Sequence, residues 1–205
     1  MTKNRLEAFS DGVFSISITL LVLNIKIPGK EVQTNGQLIG ALRHTLPDVL
    51  TFAFSFLVVG VFWVAHHRVF SYIKQINHFI MWANICYLMT IAVMPFPAAI
   101  LAQHPFFPSA IILYCLVLFL CASQHFLFLL YINRNKTYME DILTGKEFRH
   151  ALYMASVGPL CYIGAAFFSL VSPIISFCFI LSALIFYIVI VYYLLRVWKN
   201  KATDR

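Results

Sequence analysis

Polar side chains that can form hydrogen bonds or carry charge stand near one end of three long apolar segments. The first segment opens R-L-E-A-F-S-D-G, the second ends W-V-A-H-H-R, and the third has an amide about one turn from its start. An ionised group at the centre of a membrane helix costs about 2.5–3.5 kcal/mol on insertion scales, so such groups are expected to pair or to reach water. The residues concerned are Arg5, Ser10, Asp11, Trp63, His66, His67, Arg68 and Asn84.

These side chains allow two interpretations. In the first, carboxylate, guanidinium, imidazole and amide groups satisfy one another in a buried network and lock the first helix against the second and third. In the second, the same groups cap helix ends or extend to the lipid headgroups. The sequence leaves both open.

The histidines and cysteines do not form a pattern typical of catalysis or metal binding. Adjacent His66 and His67 point about 100° apart on a helix, which is poor chelating geometry compared with a spacing of four residues. Gln124 and His125 suit interhelical hydrogen bonds better than catalysis. No C-x-x-C pair occurs among the five cysteines, which all lie in apolar segments: Cys86, Cys115, Cys121, Cys161 and Cys178. We therefore predict no enzyme activity, no cofactor, no disulfide and no fixed metal site.

The first helix also carries an apolar stripe. Ile16, Leu20 and Leu23 recur at spacings of four and three residues, with Thr19 beside them. Such spacing is common in membrane helices, and packing or lipid contact is its ordinary meaning. The same helix is rich in hydroxyl groups, which favours close packing or a wet surface over plain lipid contact.

The elements that would position these residues are membrane helices. The chain is 61% apolar and 11% charged, whereas soluble domains average about 45–50% and about 25%. A span needs about 20 apolar residues to cross about 30 Å of hydrocarbon. The breaker Ser172-Pro173 divides the last uncharged stretch into two such spans. We predict an all-α integral membrane protein of one domain, residues 1–205, with spans at 8–27, 47–67, 79–102, 107–132, 151–171 and 174–195.

The positive charges predict the orientation of these spans. With six spans, twelve of the fifteen Lys and Arg residues fall on one side of the membrane. Because Lys and Arg accumulate in cytoplasmic loops, both termini are expected in the cytoplasm of a multi-pass plasma-membrane protein. The net charge of +7 is spread over short connections, which argues against nucleic-acid binding. The first helix lacks a small-residue cleavage pattern and is expected to stay in the mature protein. The segment 28–46 is expected to form an external loop that ends in a short interfacial helix, and 133–150 a cytoplasmic linker.

Several motifs in the first half of the chain resemble the bacterial relatives of the endosomal and lysosomal potassium channel, the transmembrane protein 175 family. The most specific is Arg5 with Phe9-Ser10-Asp11, followed by W-V-A-H-H-R-V-F from Trp63. Asn84, Leu88 and the run M-P-F-P from Met94 continue the similarity, while the last three helices match mainly in topology and hydropathy.

This resemblance implies a homotetramer in the lipid bilayer, in which the first helices line a central pore for potassium. It implies rings of Ile16, Leu20 and Leu23 facing the pore, with Ile16 at the narrowest layer and the hydroxyl of Thr19 nearby. The pore would be a hydrophobic constriction passed transiently by K⁺, since the T-V-G-Y-G filter sequence of other potassium channels is absent. The residues implied to position the pore helix are Arg5, Phe9, Ser10, Asp11, Trp63, His67 and Asn84.

Two other functions remain open from the sequence. In a secondary or proton-coupled transporter, Asp11 and the histidines would relay protons, although midplane charges and inverted repeats are not evident. A membrane scaffold without transport would need none of the polar groups for chemistry.

Overall fold

The computed structural model describes residues 2–26, 29, 32–138 and 145–203, and within these the side chains of 147 and 191–203 are left out. The described part of the chain is helical and contains no β-strand. Its helices are α1 Lys3–Leu20, α2 Asn35–His44, α3 Leu46–Ser71, α4 His78–Val93, α5 Pro95–Gln103, α6 Pro108–Arg134, α7 Gly145–Phe168 and α8 Pro173–Thr203. Two 3₁₀ turns, Leu21–Asn24 and Lys136–Tyr138, follow α1 and α6.

Within the described residues, six stretches are long and apolar enough to cross a membrane, which confirms the all-α, six-span prediction. They are Lys3–Asn24, Leu46–Ser71, His78–Gln103, Pro108–Arg134, Phe148–Phe168 and Pro173–Ile190. The predicted division at Ser172-Pro173 is confirmed, since α7 ends at Phe168 and α8 begins at Pro173.

Some predicted features lie outside the described residues. They are the last position of the first span, residue 27; Pro28 and Lys30 of the first loop; residues 139–144 of the linker; and Arg205 with the side chains of the other cations in the tail.

The third span consists of two helices rather than the single helix expected from its hydropathy. Pro95 and Pro97 lack N–H donors, so the carbonyl groups one turn earlier lose their regular partners. The carbonyl of Ile91 accepts from the N–H of Met94 at 3.1 Å instead, and α4 ends at Val93. The amide of Asn24 donates to the carbonyl of Pro95 at 3.0 Å. This bond ties the end of the first span to the break in the third.

The short helix predicted in the external loop is present as α2. Thr34 and Gln37 form a capping box, in which the side chain of each residue accepts a hydrogen bond from the backbone N–H of the other. No residue of α2 is buried. Its ten residues therefore lie on the surface of the helical bundle.

The core forms where α1 packs against α3, α4 and α5, and where α6 packs against α4 and α7. One apolar cluster fills most of the bundle and includes Phe14, Val59, Ile91, Tyr114 and Leu118. A second, smaller cluster lies at the N-terminal end of α1, and its buried side chains include Leu6, Phe70, Ile80 and Ile132. The first helix is thus packed along its length on one side only.

Candidate pore helix and its polar network

The two faces of α1 have different surroundings. The buried face consists of Leu6, Ser10, Phe14, Ser17 and, in the following turn, Leu21. The two serines fit there because their hydroxyls are satisfied by their own helix: Ser10 Oγ donates to the carbonyl of Leu6, and Ser17 Oγ to that of Val13, both at 2.8 Å. Small side chains whose donors are already used allow α1 to approach its neighbours closely.

Asn84 on α4 connects α1 to α3 through its amide group. Its Nδ2 donates to Ser10 Oγ at 3.0 Å, and its Oδ1 lies 2.7 Å from Nε2 of His66. All three side chains are buried, with exposed fractions of 0% for Ser10, 2% for Asn84 and 5% for His66. Since the Ser10 hydrogen is used on the carbonyl of Leu6, Asn84 must direct its NH₂ towards Ser10 and its oxygen towards His66. The Nε2 atom of His66 therefore carries a hydrogen.

Aromatic rings hold His66 in place. The ring of Phe70 stacks on the imidazole at a centroid distance of 4.3 Å, and Tyr87 lies nearly parallel at 5.6 Å. The ring of Phe14 on α1 lies 5.5 Å from the imidazole ring between centroids. The hydrogen bond to Asn84 and these rings together fix the imidazole against α1.

A second link between α1 and α3 lies at the edge of the bundle. Trp63 Nε1 donates to Oδ1 of Asp11 at 2.8 Å, and both residues are exposed. The ring of His67 lies 6.2 Å from that of Trp63 between centroids and is also exposed. The carboxylate of Asp11 thus has a hydrogen-bond donor from the neighbouring helix.

The structure brings together part of the predicted network. Ser10 and Asn84 meet in the interior, and Asp11 and Trp63 meet at the edge. The side chains of Arg5 and His67 are exposed and form no hydrogen bond within the described part of this subunit. Phe9 is 51% exposed. The imidazole that bonds to Asn84 belongs to His66 and not to His67, the histidine that the resemblance implies for the network. A signal for it exists, since His66 falls on the same helical face as Phe62 and Val69, which are both buried.

The apolar stripe, which runs from α1 into the 3₁₀ turn that follows it, lies outside the buried face and is uncovered in the subunit. The exposed fractions are 61% for Ile16, 42% for Leu20 and 74% for Leu23. Thr19 is exposed beside them, and its Oγ1 lies 2.9 Å and 3.0 Å from the carbonyl oxygens of Ile16 and Ser15. The hydrogen of that hydroxyl is used on its own helix, so the oxygen offers its remaining acceptor capacity to the exposed face.

The interhelical hydrogen bond predicted for Gln124 is confirmed, whereas the side chain of His125 forms none with the residues that the structure describes. The Nε2 atom of Gln124 donates to Oγ1 of Thr90 at 2.8 Å and joins α6 to α4. Among the residues with described positions, no group of three His, Cys, Asp or Glu side chains could hold a metal ion. The bond of Gln124 and those of Asn84 and Trp63 thus link neighbouring helices through their side chains.

The fold and this site define the class as an all-helical, six-span membrane protein whose first helix is held by side-chain hydrogen bonds on one face and uncovered on the other. The family model of the endosomal/lysosomal potassium channel TMEM175 matches residues 5–95. The crystal structure of a lysosomal potassium-selective channel TMEM175 homologue from Chamaesiphon minutus superposes with a TM-score of 0.80, at 30% identity over 91% of this chain and 96% of that one. The chain belongs to the TMEM175 family, in its bacterial branch, which confirms the resemblance found in the sequence.

Two relatives match the first half of the chain by sequence. A potassium channel of Streptomyces collinus is 46% identical over 100 residues, which are 49% of this chain and 48% of the relative. The endosomal/lysosomal proton channel TMEM175 of Mus musculus is 38% identical over 101 residues, which are 46% of this chain and 20% of that protein. The chain thus spans about half the length of the bacterial relative it matches. These relatives are ion channels by name.

Proposed function

We propose that the chain is the subunit of a homotetrameric, potassium-favouring cation channel in the plasma membrane, with α1 lining the pore. The observation that carries this proposal is the uncovered stripe of Ile16, Leu20 and Leu23 on a helix whose buried face is held by Asn84. A helix that serves only as a lipid-facing surface would not need such positioning. The names of the related proteins, which are potassium channels, also support ion conduction.

Ion passage would depend on the width of the apolar rings. A narrow apolar neck excludes water and ions by dewetting, while a slightly wider one passes them. An ion that sheds water beside Ile16 gains little in return from an isoleucine side chain. Potassium holds its hydration shell less strongly than sodium, so its passage costs less. No cofactor and no fixed metal site are required for this mechanism.

The polar network would set the position of these rings. The bonds from Asn84 to Ser10 and from Trp63 to Asp11 attach α1 to α4 and α3 near its N-terminal half. The bond from Asn24 to Pro95 attaches the other end to α5. Because both ends of the first span are attached, α1 would move as one unit. A small shift of the helix would then change the diameter of the pore along its whole length.

The test is the reversal potential of purified protein in planar bilayers, with potassium on one side and sodium on the other. We expect a potential that favours potassium and that moves towards zero in Ile16→Ala, because a smaller side chain widens the constriction. Ile163, exposed on α7, provides the matched control: Ile163→Ala keeps the wild-type potential. Native mass spectrometry of the same sample is expected to show four subunits, and a dimer would contradict the single-pore arrangement.

Proton coupling is the alternative with a specific observation behind it, because the exposed carboxylate of Asp11 is held by Trp63 and the mouse relative is named a proton channel. A proton-coupled transporter would show saturable uptake driven by a pH gradient. A channel instead passes a current that rises with voltage without saturating in substrate. Folded protein that leaves liposomes tight would indicate a scaffold.

A further inference from the structure

A cavity of about 180 Å³ lies between α3, α4 and α6, next to the network that holds α1. Most of its wall is apolar and aromatic, with Phe79, Tyr87 and Phe128 among the lining side chains. Phe79 and Leu127 at its rim are 53% and 60% exposed, so the cavity opens to the surface of the subunit. Apolar cavities of about 150 Å³ hold a molecule of benzene. The space therefore fits a small ring compound.

One polar atom in this wall lacks a partner. The Oε1 atom of Gln124 is buried and has no hydrogen bond within the described residues. The orientation of the amide is fixed, because Thr90 Oγ1 donates to the carbonyl of Cys86 at 3.1 Å and so can only accept from Gln124. A buried carbonyl oxygen without a donor is costly, since it has given up its hydrogen bonds to water. Gln124 thus brings one unpaired acceptor to a mostly apolar wall, and because Oε1 is covered, its side chain must turn towards a ligand to bond it.

The remaining lining side chains restrict the charge of an occupant. Among the described residues that line the cavity there is no Asp, Glu, Lys or Arg, and the imidazoles of His66 and His125 belong to its wall. A cation would be buried without a carboxylate to pair with, which is expensive in a medium of low dielectric constant. An anion would face the oxygen of Gln124. The fitting occupant is neutral.

We propose that this cavity is a binding site for small neutral aromatic alcohols that reach it from the lipid or detergent phase and donate their hydroxyl hydrogen to Gln124 Oε1. The ring of such a ligand packs among Phe79, Tyr87 and Phe128. The site borders His66 and Asn84, so its occupant lies against the side chains that hold α1. This assignment is independent of whether the protein conducts ions.

The experiment uses Cys86 as a reporter, because it lines the cavity and is exposed. The full-length protein in detergent is labelled with N-ethylmaleimide, and the rates at Cys86 and at Cys178 are followed by peptide mass spectrometry. Cys178 on α8 is exposed and lies outside the cavity, so it controls for effects on the reagent or the micelle. Benzyl alcohol is the probe, and toluene is the matched compound without the donor.

We expect benzyl alcohol to slow labelling of Cys86 but not of Cys178. The concentration of toluene needed for equal protection should be about fivefold higher, the factor for a hydrogen bond with a net value of about 1 kcal/mol. Gln124→Leu should abolish the difference between the two compounds, while Gln75→Leu, at an exposed glutamine outside the cavity, should keep it. Ala83→Leu fills the cavity and should remove protection altogether.

Three results would overturn the proposal. The first is no protection of Cys86 by benzyl alcohol, which would leave the cavity to water, an acyl chain or a neighbouring subunit. The second is equal protection by toluene in the wild-type protein, a comparison that needs no variant to fold. The third is equal slowing at Cys86 and Cys178, which would indicate a general effect of the solvent.

Discussion

In α1 to α4, some buried polar side chains bond to one another across helices, whereas the described hydrogen bonds of Ser176 and Tyr187 in α8 are to the backbone. Asn84 joins Ser10 and His66 through side-chain atoms at both ends. In the second region, which consists of α7 and α8, Ser176 Oγ donates to the carbonyl of Ala165 at 2.7 Å. The hydroxyl of Tyr187 accepts from the N–H of Gly158 at 2.8 Å and donates to the carbonyl of Met154 at 3.1 Å. It thereby bridges two backbone groups that lie four residues apart in α7, in the turn that precedes Pro159.

The difference bears on which part of the chain can be recognised by sequence. A bond between two side chains requires a particular residue at each end, while a backbone carbonyl is present at every position. The family model covers residues 5–95, which run from the first turn of α1 to the first residue of α5. The structural similarity to the Chamaesiphon minutus protein, by contrast, covers 91% of the chain. We infer that the first region depends on residue identity and the second mainly on close helix packing.

Asn84→Leu should have the largest effect on stability. The substitution removes both bonds and leaves the Nε2–H group of His66 buried without an acceptor, which should cost about 2–3 kcal/mol. The measurement is the thermal unfolding midpoint in detergent, followed by size-exclusion chromatography after heating. An unchanged midpoint would mean that α1 is held by apolar packing alone.

Gly158→Ala should be the most damaging small change in the second region. A Cβ atom there would lie 2.7 Å from the hydroxyl oxygen of Tyr187, so the ring must move and the N–H of Gly158 loses its acceptor. We expect a loss of about 1–2 kcal/mol, as for other overpacked positions. Gly60→Ala is the control, because no atom lies within 4 Å of the added Cβ, and it should be neutral or stabilising. Equal midpoints for both variants would show that the approach of Tyr187 is not needed.

Trp63→Phe should cost little stability but change conduction. The bond to Asp11 lies at the exposed edge of the bundle, and its loss should cost about 0.6 kcal/mol, the average for hydrogen bonds between membrane helices. Because α1 loses one of its links to α3, single-channel current should become more variable while the unfolding midpoint hardly moves. Trp82→Phe, at an exposed tryptophan of α4, is the matched control. Identical recordings from the two variants would remove Trp63 from the positioning of α1.

Ser176→Ala should have the smallest effect of these changes. The carbonyl of Ala165 keeps its backbone bond from the N–H of Ser169 at 3.0 Å, so no polar group is left unpaired. A loss of about 0.5 kcal/mol or less in unfolding free energy is expected. If Ser176→Ala destabilised the protein as much as Asn84→Leu, the distinction between the two regions would not hold.

The spans could be predicted from the sequence because their length and lack of charge are set by the membrane. The break between α4 and α5 was not predicted from hydropathy, since both sides of Met94-Pro95 are equally apolar, although Pro95 and Pro97 are a signal of it in the sequence. His66 could have been separated from His67, because it shares a helical face with the apolar residues Phe62 and Val69. The packing of Phe70 and Asn84 around it shows that this face is the buried one.

The polar network and the apolar stripe of the first helix were predictable from the sequence to different degrees. The depth of the polar residues indicated a network between three helices, and the structure pairs Ser10 with Asn84 and Asp11 with Trp63. The stripe of Ile16, Leu20 and Leu23 gained its pore-lining prediction only through the family resemblance, because apolar spacing alone does not separate a pore from a lipid contact. In the proposed homotetramer the pore forms between subunits, so local sequence in one chain carries no signal of it.

The most direct test of the central claim is the reaction of Ile16→Cys with a charged, water-soluble thiosulfonate during current recording in bilayers. Such a reagent reaches a side chain in an aqueous pore but not one in lipid. We predict that the current falls irreversibly in Ile16→Cys and stays unchanged in the wild type and in Ile163→Cys. A conducting Ile16→Cys protein whose current is unaffected by the reagent would contradict a pore lined by this face of α1.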